Sequence, residues 1–112
     1  MNSLEIKTPL NEIIRLYEDN WKRIITEKHP IMENYISEVK ETLGNTELIC
    51  LSRWDKTVQL YYKKYGKYFV CVVVKMENST DFLITTYLTV KIKVGEELWR
   101  KLKYIMIKKV IR

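Results

Sequence analysis

Histidine occurs once in this chain, as His29 within "ITEKHPIMENY" (residues 25–35), with Pro30 directly after it. A cationic group follows: Arg53, Lys56, Lys63, Lys64 and Lys67, opposed locally only by Asp55. A third feature is the hydroxyl-rich run "TTYLT", Thr85 to Thr89. Imidazole, cations and hydroxyls are the parts needed to cut RNA without a metal. The RNA's own 2′-hydroxyl attacks the adjoining phosphorus, so one group must accept its proton and another must supply a proton to the departing oxygen. Cations or hydrogen-bond donors must hold the charge that grows on the phosphoryl oxygens. Histidine titrates unperturbed near pH ~6.5, which suits the proton work. Arginine and lysine suit the charge work, arginine bidentately. Tyr and Thr hydroxyls orient a phosphate, and aromatic rings stack a splayed base.

Each feature also has a plainer explanation. A histidine before a helix is commonly an incidental surface residue, and Thr and Tyr are what an exposed strand prefers. The lysines of "LYYKKYGKY" suit an edge strand guarded against aggregation. Trp21 and Trp99 fit core packing, whereas Trp54 stands among charges in a turn and is the tryptophan expected to touch a ligand. There is no Gly-rich phosphate loop, nucleophile elbow or carboxylate cluster for magnesium. One histidine and two distant cysteines make no zinc pattern, so neither metal nor cofactor is expected.

The elements that must position these residues follow from periodicity. "LEIKTP" and "EIIRLY" read as a hairpin about "PLN". "EDNWKRIITEK" has helical spacing, with Asp19 or Asn20 as cap. Pro30 suits the first turn of a second helix. Met32, Ile36, Val39 and Leu43 form its apolar stripe, and Gly44 ends it. The period then changes to two. "TELICLSR", "TVQLYYKK", "YFVCVVVK" and "DFLITTYLTVKI" read as four strands, and their short connections make neighbours antiparallel. "GEELWRKLKYIMIKK" reads as a closing helix with Leu98, Leu102, Ile105 and Met106 on one side. The expected fold is α+β: N-terminal helices on one face of a four-stranded antiparallel sheet, with an N-terminal hairpin and a C-terminal helix.

Strand parity assigns faces. Phe82, Ile84, Thr86 and Leu88 should meet the helices, as should Val58, Leu60 and Tyr62. Arg53, Tyr61, Lys63, Lys75, Thr85 and Tyr87 should share the open face, an electropositive and aromatic surface.

At 112 residues the chain is expected to form one domain. Its apolar content of 46% and charged content of 30% are those of a globular protein. No apolar run approaches the ~20 residues of a membrane span, and the start lacks a signal-peptide layout, so a cytosolic location is expected. Cys50 and Cys71 lie in apolar runs and read as buried thiols. Of the net charge of +6, residues 93–112 carry +5, from seven Lys/Arg and two Glu. The patch at 53–67 is what makes an anionic partner such as RNA an expectation.

The ordered series "KHPIM", "SRWD", "LYYKKYGKYFVCVVVK" and "FLITTYLT", from Trp21 to Trp99, resembles the phage-associated barnase–EndoU–colicin–RelE-like nuclease family. The resemblance implies metal-independent RNA cleavage on an open sheet face, leaving a 2′,3′-cyclic phosphate. It implies His29 as general acid/base, Arg53 and Lys63 as stabilisers of the phosphorane, and Thr85 and Tyr87 as phosphate-positioning groups. Trp54, Lys56, Tyr61, Lys64, Lys75 and Thr89 would contact RNA. Thr86 departs from the small apolar residue usual between Thr85 and Tyr87, and by parity it points toward the core. The basic extension, residues 100–112, lies beyond the resemblance. A toxin-like ribonuclease should also have an inhibitory partner, an antitoxin or immunity protein. The rival readings are a non-catalytic RNA- or protein-binding module and a phage assembly protein.

Overall fold

A computed structural model describes residues 2–78, 80–93 and 95–101. The chain opens with a hairpin, β1 (Ser3–Lys7) and β2 (Ile13–Tyr17). Its turn is built by local chemistry. Pro9 fixes the entry, the Thr8 hydroxyl accepts from the Leu10 amide at 3.2 Å, and Asn11 takes the left-handed φ of 65°. β2 runs into α1 (Glu18–Arg23), which continues as a π-helical turn, Ile24–Lys28. A 3₁₀ helix, Pro30–Tyr35, and α2 (Ile36–Gly44) complete the helical layer. Then come β3 (Leu48–Leu51), β4 (Val58–Tyr65), β5 (Tyr68–Glu77), β6 (Thr80–Thr89) and β7 (Glu97–Arg100).

These strands form one seven-stranded sheet, ordered β1-β2-β6-β5-β4-β3-β7. The four expected strands therefore sit inside a larger, mixed sheet, and the four-stranded antiparallel architecture is corrected. The hairpin joins through a parallel seam of two residue pairs, Ile14↔Asp81 and Arg15↔Phe82. Beyond that seam β6 bulges, and Asn20 donates to the Leu83 and Ile84 carbonyls at 2.8 and 3.1 Å. Asn20 thus satisfies strand carbonyls that have lost their neighbour. It does not cap α1, whose N-cap is Tyr17 with no side-chain bond.

The expected closing helix is also corrected. Leu98 and Trp99 belong to β7, which pairs antiparallel with β3. β3 is buried at Leu48, Ile49 and Cys50, so its outer amides and carbonyls need backbone partners, and β7 supplies them. The helical stripe expected at Leu102, Ile105 and Met106 lies outside the described residues, as does most of the basic extension.

The helices cover one face. Ile14, Ile24, Met32, Val39, Leu43, Ile49, Tyr61, Val70, Val72, Val74 and Leu83 form its core, each fully buried. Met32, Val39 and Leu43 come from the predicted stripe, and Trp21 and Trp99 pack against this core. The other face is not bare. To reach β7 from β6 the chain must pass β5, β4 and β3, and residues 90–93 and 95–96 belong to a strap over the helix-free side. Ile92 packs there against Leu48, Cys50, Leu60, Tyr62 and Cys71.

Candidate functional site

Two cross-strand rows organise the strap-crossed face. One runs Cys50, Leu60, Val73, Thr85 and the next runs Leu48, Tyr62, Cys71, Tyr87. Between the strap and the β3–β4 loop they leave a cleft of about 380 Å³. Val58, Leu60 and Val73 floor it; Thr85 and Tyr87 line it from β6, and Arg53, Trp54 and Lys93 from the two loops.

The β3–β4 loop is built on Asp55. The Thr57 hydroxyl and amide donate to its Oδ1 at 2.6 and 2.9 Å, and Lys75 Nζ donates to its Oδ2 at 3.3 Å. The Thr57 hydroxyl, then its amide, then Lys75 draw the Asp55 carboxyl down to about 2. A closed turn results, with Ser52 N–H donating to the Val58 carbonyl at 2.9 Å. It presents Trp54 at 85% exposure, with the Arg53 guanidinium 5.4 Å from the indole centroid.

The strap is fixed by Gly95 and Tyr62. A Cβ at Gly95 would collide with the Leu51 carbonyl, so only glycine allows this approach to the end of β3. The Lys93 amide donates to the Tyr62 hydroxyl at 3.1 Å, and Lys93 Nζ lies 5.7 Å from the Tyr87 ring centroid.

His29 sits where the π-helical turn meets the 3₁₀ helix. Its amide donates to the Ile24 carbonyl at 2.7 Å, and its own carbonyl accepts from Met32 at 3.0 Å. Its ring is tilted against Tyr87, centroids 5.7 Å apart. The imidazole therefore flanks the cleft by way of Tyr87. The helix after it is six residues of 3₁₀ geometry and provides no α-helical N-terminus for an anion. Tyr87 contributes its ring: burial, then the Cys71 thiol, push the phenol well above its usual range and keep it protonated. The Cys71 thiol is itself raised to about 11, chiefly by burial.

Thr85 is the unusual member. Its Oγ1 is buried and has no hydrogen-bond partner. Buried hydroxyls are nearly always partnered, so this one, on a residue that lines the cleft, keeps its bonding capacity unspent. Thr86, its neighbour, is buried on the helix side, and its hydroxyl donates to the Cys71 carbonyl at 2.8 Å.

No family model, curated protein or solved structure matches this chain.

The structure thus brings Arg53, Trp54, Thr85 and Tyr87 into one cleft, with His29 beside Tyr87. Other expected site residues lie elsewhere. Tyr61 faces the helices, fully buried, with its hydroxyl on Gln59 Oε1 at 3.1 Å. Lys63 pairs with Val70 on that same side, its Nζ 3.9 Å from Glu47. β4 is therefore rotated by one residue from the expected parity: Val58, Leu60 and Tyr62 face the strap, and Tyr61 and Lys63 the helices. Phe82 is corrected too, because the bulge between Val73 and Val74 places Leu83 in the helix-side core and pairs Phe82 with Lys75. Lys75 braces the Asp55 loop, and Lys56 is exposed within it. Lys64 lies over Phe69 at 5.1 Å, and the Thr89 hydroxyl is engaged with Lys91. Lys93 is the site residue that sequence reasoning missed. Nothing marks it locally, since its place depends on a strap that crosses three strands. Among the described residues, no group of three or more His, Cys, Asp or Glu is gathered to hold a metal. Nor, among them, is any helix long and apolar enough to cross a membrane.

Proposed function

We propose that this protein is a metal-independent endoribonuclease that binds single-stranded RNA across the strap-crossed face. One observation carries the reading: Arg53, Thr85, Tyr87 and Lys93, spread over the sequence, line one cleft flanked by the chain's only imidazole. His29 would take the proton from the 2′-hydroxyl as O2′ attacks phosphorus. The P–O5′ bond then breaks, and the departing oxygen regains a proton from imidazolium or water, leaving a 2′,3′-cyclic phosphate. Arg53 and Lys93, the latter in the place first given to Lys63, would hold the charge on the phosphoryl oxygens. Tyr87 would act as a positioning residue, its ring setting both His29 and Lys93. The similarity in residue order to the phage-associated nuclease family points the same way, and an inhibitory protein partner follows from it.

The test is incubation of the purified protein with total RNA in EDTA, followed by mapping of the new ends. Cyclic-phosphate ends are expected, and His29→Ala should lower their rate by ~10²–10⁴-fold with an unchanged melting temperature. Cleavage by that variant at the wild-type rate removes His29 from the mechanism. One observation favours a second reading, an RNA-binding module without cleavage: His29 is not among the residues that line the cleft and reaches it only through the Tyr87 ring, centroids 5.7 Å apart. Binding of RNA without fragments would select that reading.

A further inference from the structure

We propose that the cleft is a nucleotide subsite that reads a base. The floor of Val58, Leu60 and Val73 takes one unstacked base, the Thr85 hydroxyl bonds its edge, Trp54 closes over it, and Arg53 and Lys93 hold the attached phosphate. The inference rests on the RNA reading above and adds what feature of the RNA is recognised.

Three observations converge. First, the floor is apolar and the rim cationic. A phosphate alone has no use for such a floor, and an aliphatic ligand has none for Arg53 and Lys93. A nucleotide has both parts, and the volume of about 380 Å³ suits one small ligand unit, not a duplex. Second, Trp54 has no core to serve: it is 85% exposed, held by a loop that Asp55, Thr57 and Lys75 close. Indoles placed so are stacking platforms, since every base has a π-face. Third, Thr85 lines the cleft and its buried Oγ1 has no partner among the described residues. Thr85 ends the apolar row of Cys50, Leu60 and Val73, so a turn about its Cα–Cβ bond lets the hydroxyl take its missing partner from a ligand bound above that row. The polar edge of a base lying on the floor supplies it. A site with such a buried polar group discriminates against ligands that cannot pair with it.

A nucleotide within a strand and a free nucleotide share this chemistry, so both are tested. Affinities of the full chain are measured for four homopolymer octanucleotides carrying 2′-fluoro groups, which cannot be cleaved. An abasic octamer and the four ribonucleoside monophosphates are measured alongside. One base should bind ~10-fold more tightly than the others, and the abasic strand at least ~10-fold more weakly than any. Thr85→Val keeps the shape but replaces the hydroxyl with a methyl. It should abolish the preference, leave the other three bases within about twofold, and raise the melting temperature, because an unpartnered buried hydroxyl is removed. Preference among octamers alone assigns the site to a base in a strand, and preference among monophosphates assigns it to a free nucleotide. Equal affinity for all four bases, a preference that survives Thr85→Val, or an abasic strand that binds as well as the rest overturns the subsite. Because the octamers cannot be cut, failure of the cleavage reading leaves this test intact. Cleavage without base preference overturns the subsite alone.

Discussion

The two faces of the sheet solve the same problem with different means. The helix side is closed by bulk: Met32, Val39 and Leu43 meet Val70, Val72, Val74 and Tyr61, all fully buried. The other side is closed by a thin strap, anchored at Ile92, at the Lys93 amide and at Gly95. Bulk confines open space to its margin, a largely apolar hollow between β1, Leu16, Trp21 and Ile36. A strap covers part of the apolar surface and leaves the remainder as the floor of a cleft. The chemistry-bearing residues gather where closure is incomplete, which is where a ligand finds both apolar floor and unspent polar groups.

The comparison is sharpened most by Tyr61→Ala. A fully buried aromatic side chain lost from the helix side should cost ~3–5 kcal/mol in urea unfolding. A much smaller loss would mean that the helix side is not the dominant core. Next in size is Gly95→Ala, whose new methyl must displace the Leu51 carbonyl or the strap. The expected loss is ~1–3 kcal/mol, with faster hydrogen exchange at the Lys93 amide. Unchanged exchange there would show that the strap is held elsewhere.

The smallest effect concerns Glu12, at the edge of the helix side. Its Oε1 is buried without a partner, and burial, followed by the nearby Asp81, raises its carboxyl above the ordinary 4.5. A raised carboxyl contributes stability that is fully present below pH ~4.5 and is lost as pH rises through the folded-state value. At neutral pH the fold thus carries an unfavourable carboxylate. Glu12→Gln should therefore raise the melting temperature at pH 7, with the gain shrinking as pH falls toward 4. A gain independent of pH would locate its cause outside ionisation.

What the sequence made legible was local. The stripe Met32, Val39, Leu43 was readable because three positions at helical spacing all point one way, and all are buried. The first hairpin turn was readable from "PLN", where Asn11 adopts the positive φ its residue type favours. The orientation of β4 was not readable. "VQLYYKK" puts burial on both parities, with Gln59, Leu60, Tyr61 and Tyr62 all buried, so alternation carries no sign. β7 was hidden for a different reason. Leu98 fits a helical stripe as well as a strand, and only the unsatisfied edge of β3, nearly fifty residues earlier, decides between them. Lys93 inherits the same difficulty. Arg53, Thr85 and Tyr87 could be named from residue order, but their convergence depends on pairings across β3 to β6 that no local pattern encodes.

The strap has one more implication. It forms a wall of the cleft yet touches the rest of the chain chiefly through backbone and apolar anchors, and it ends in the outermost strand. Lengthening or shortening residues 90–93 would therefore widen or narrow the opening and shift Lys93, while Thr85 and Tyr87 on β6 stay in register. The width of the cleft and the row of side chains beneath it are in this way written on separate segments, and the first can drift without disturbing the second.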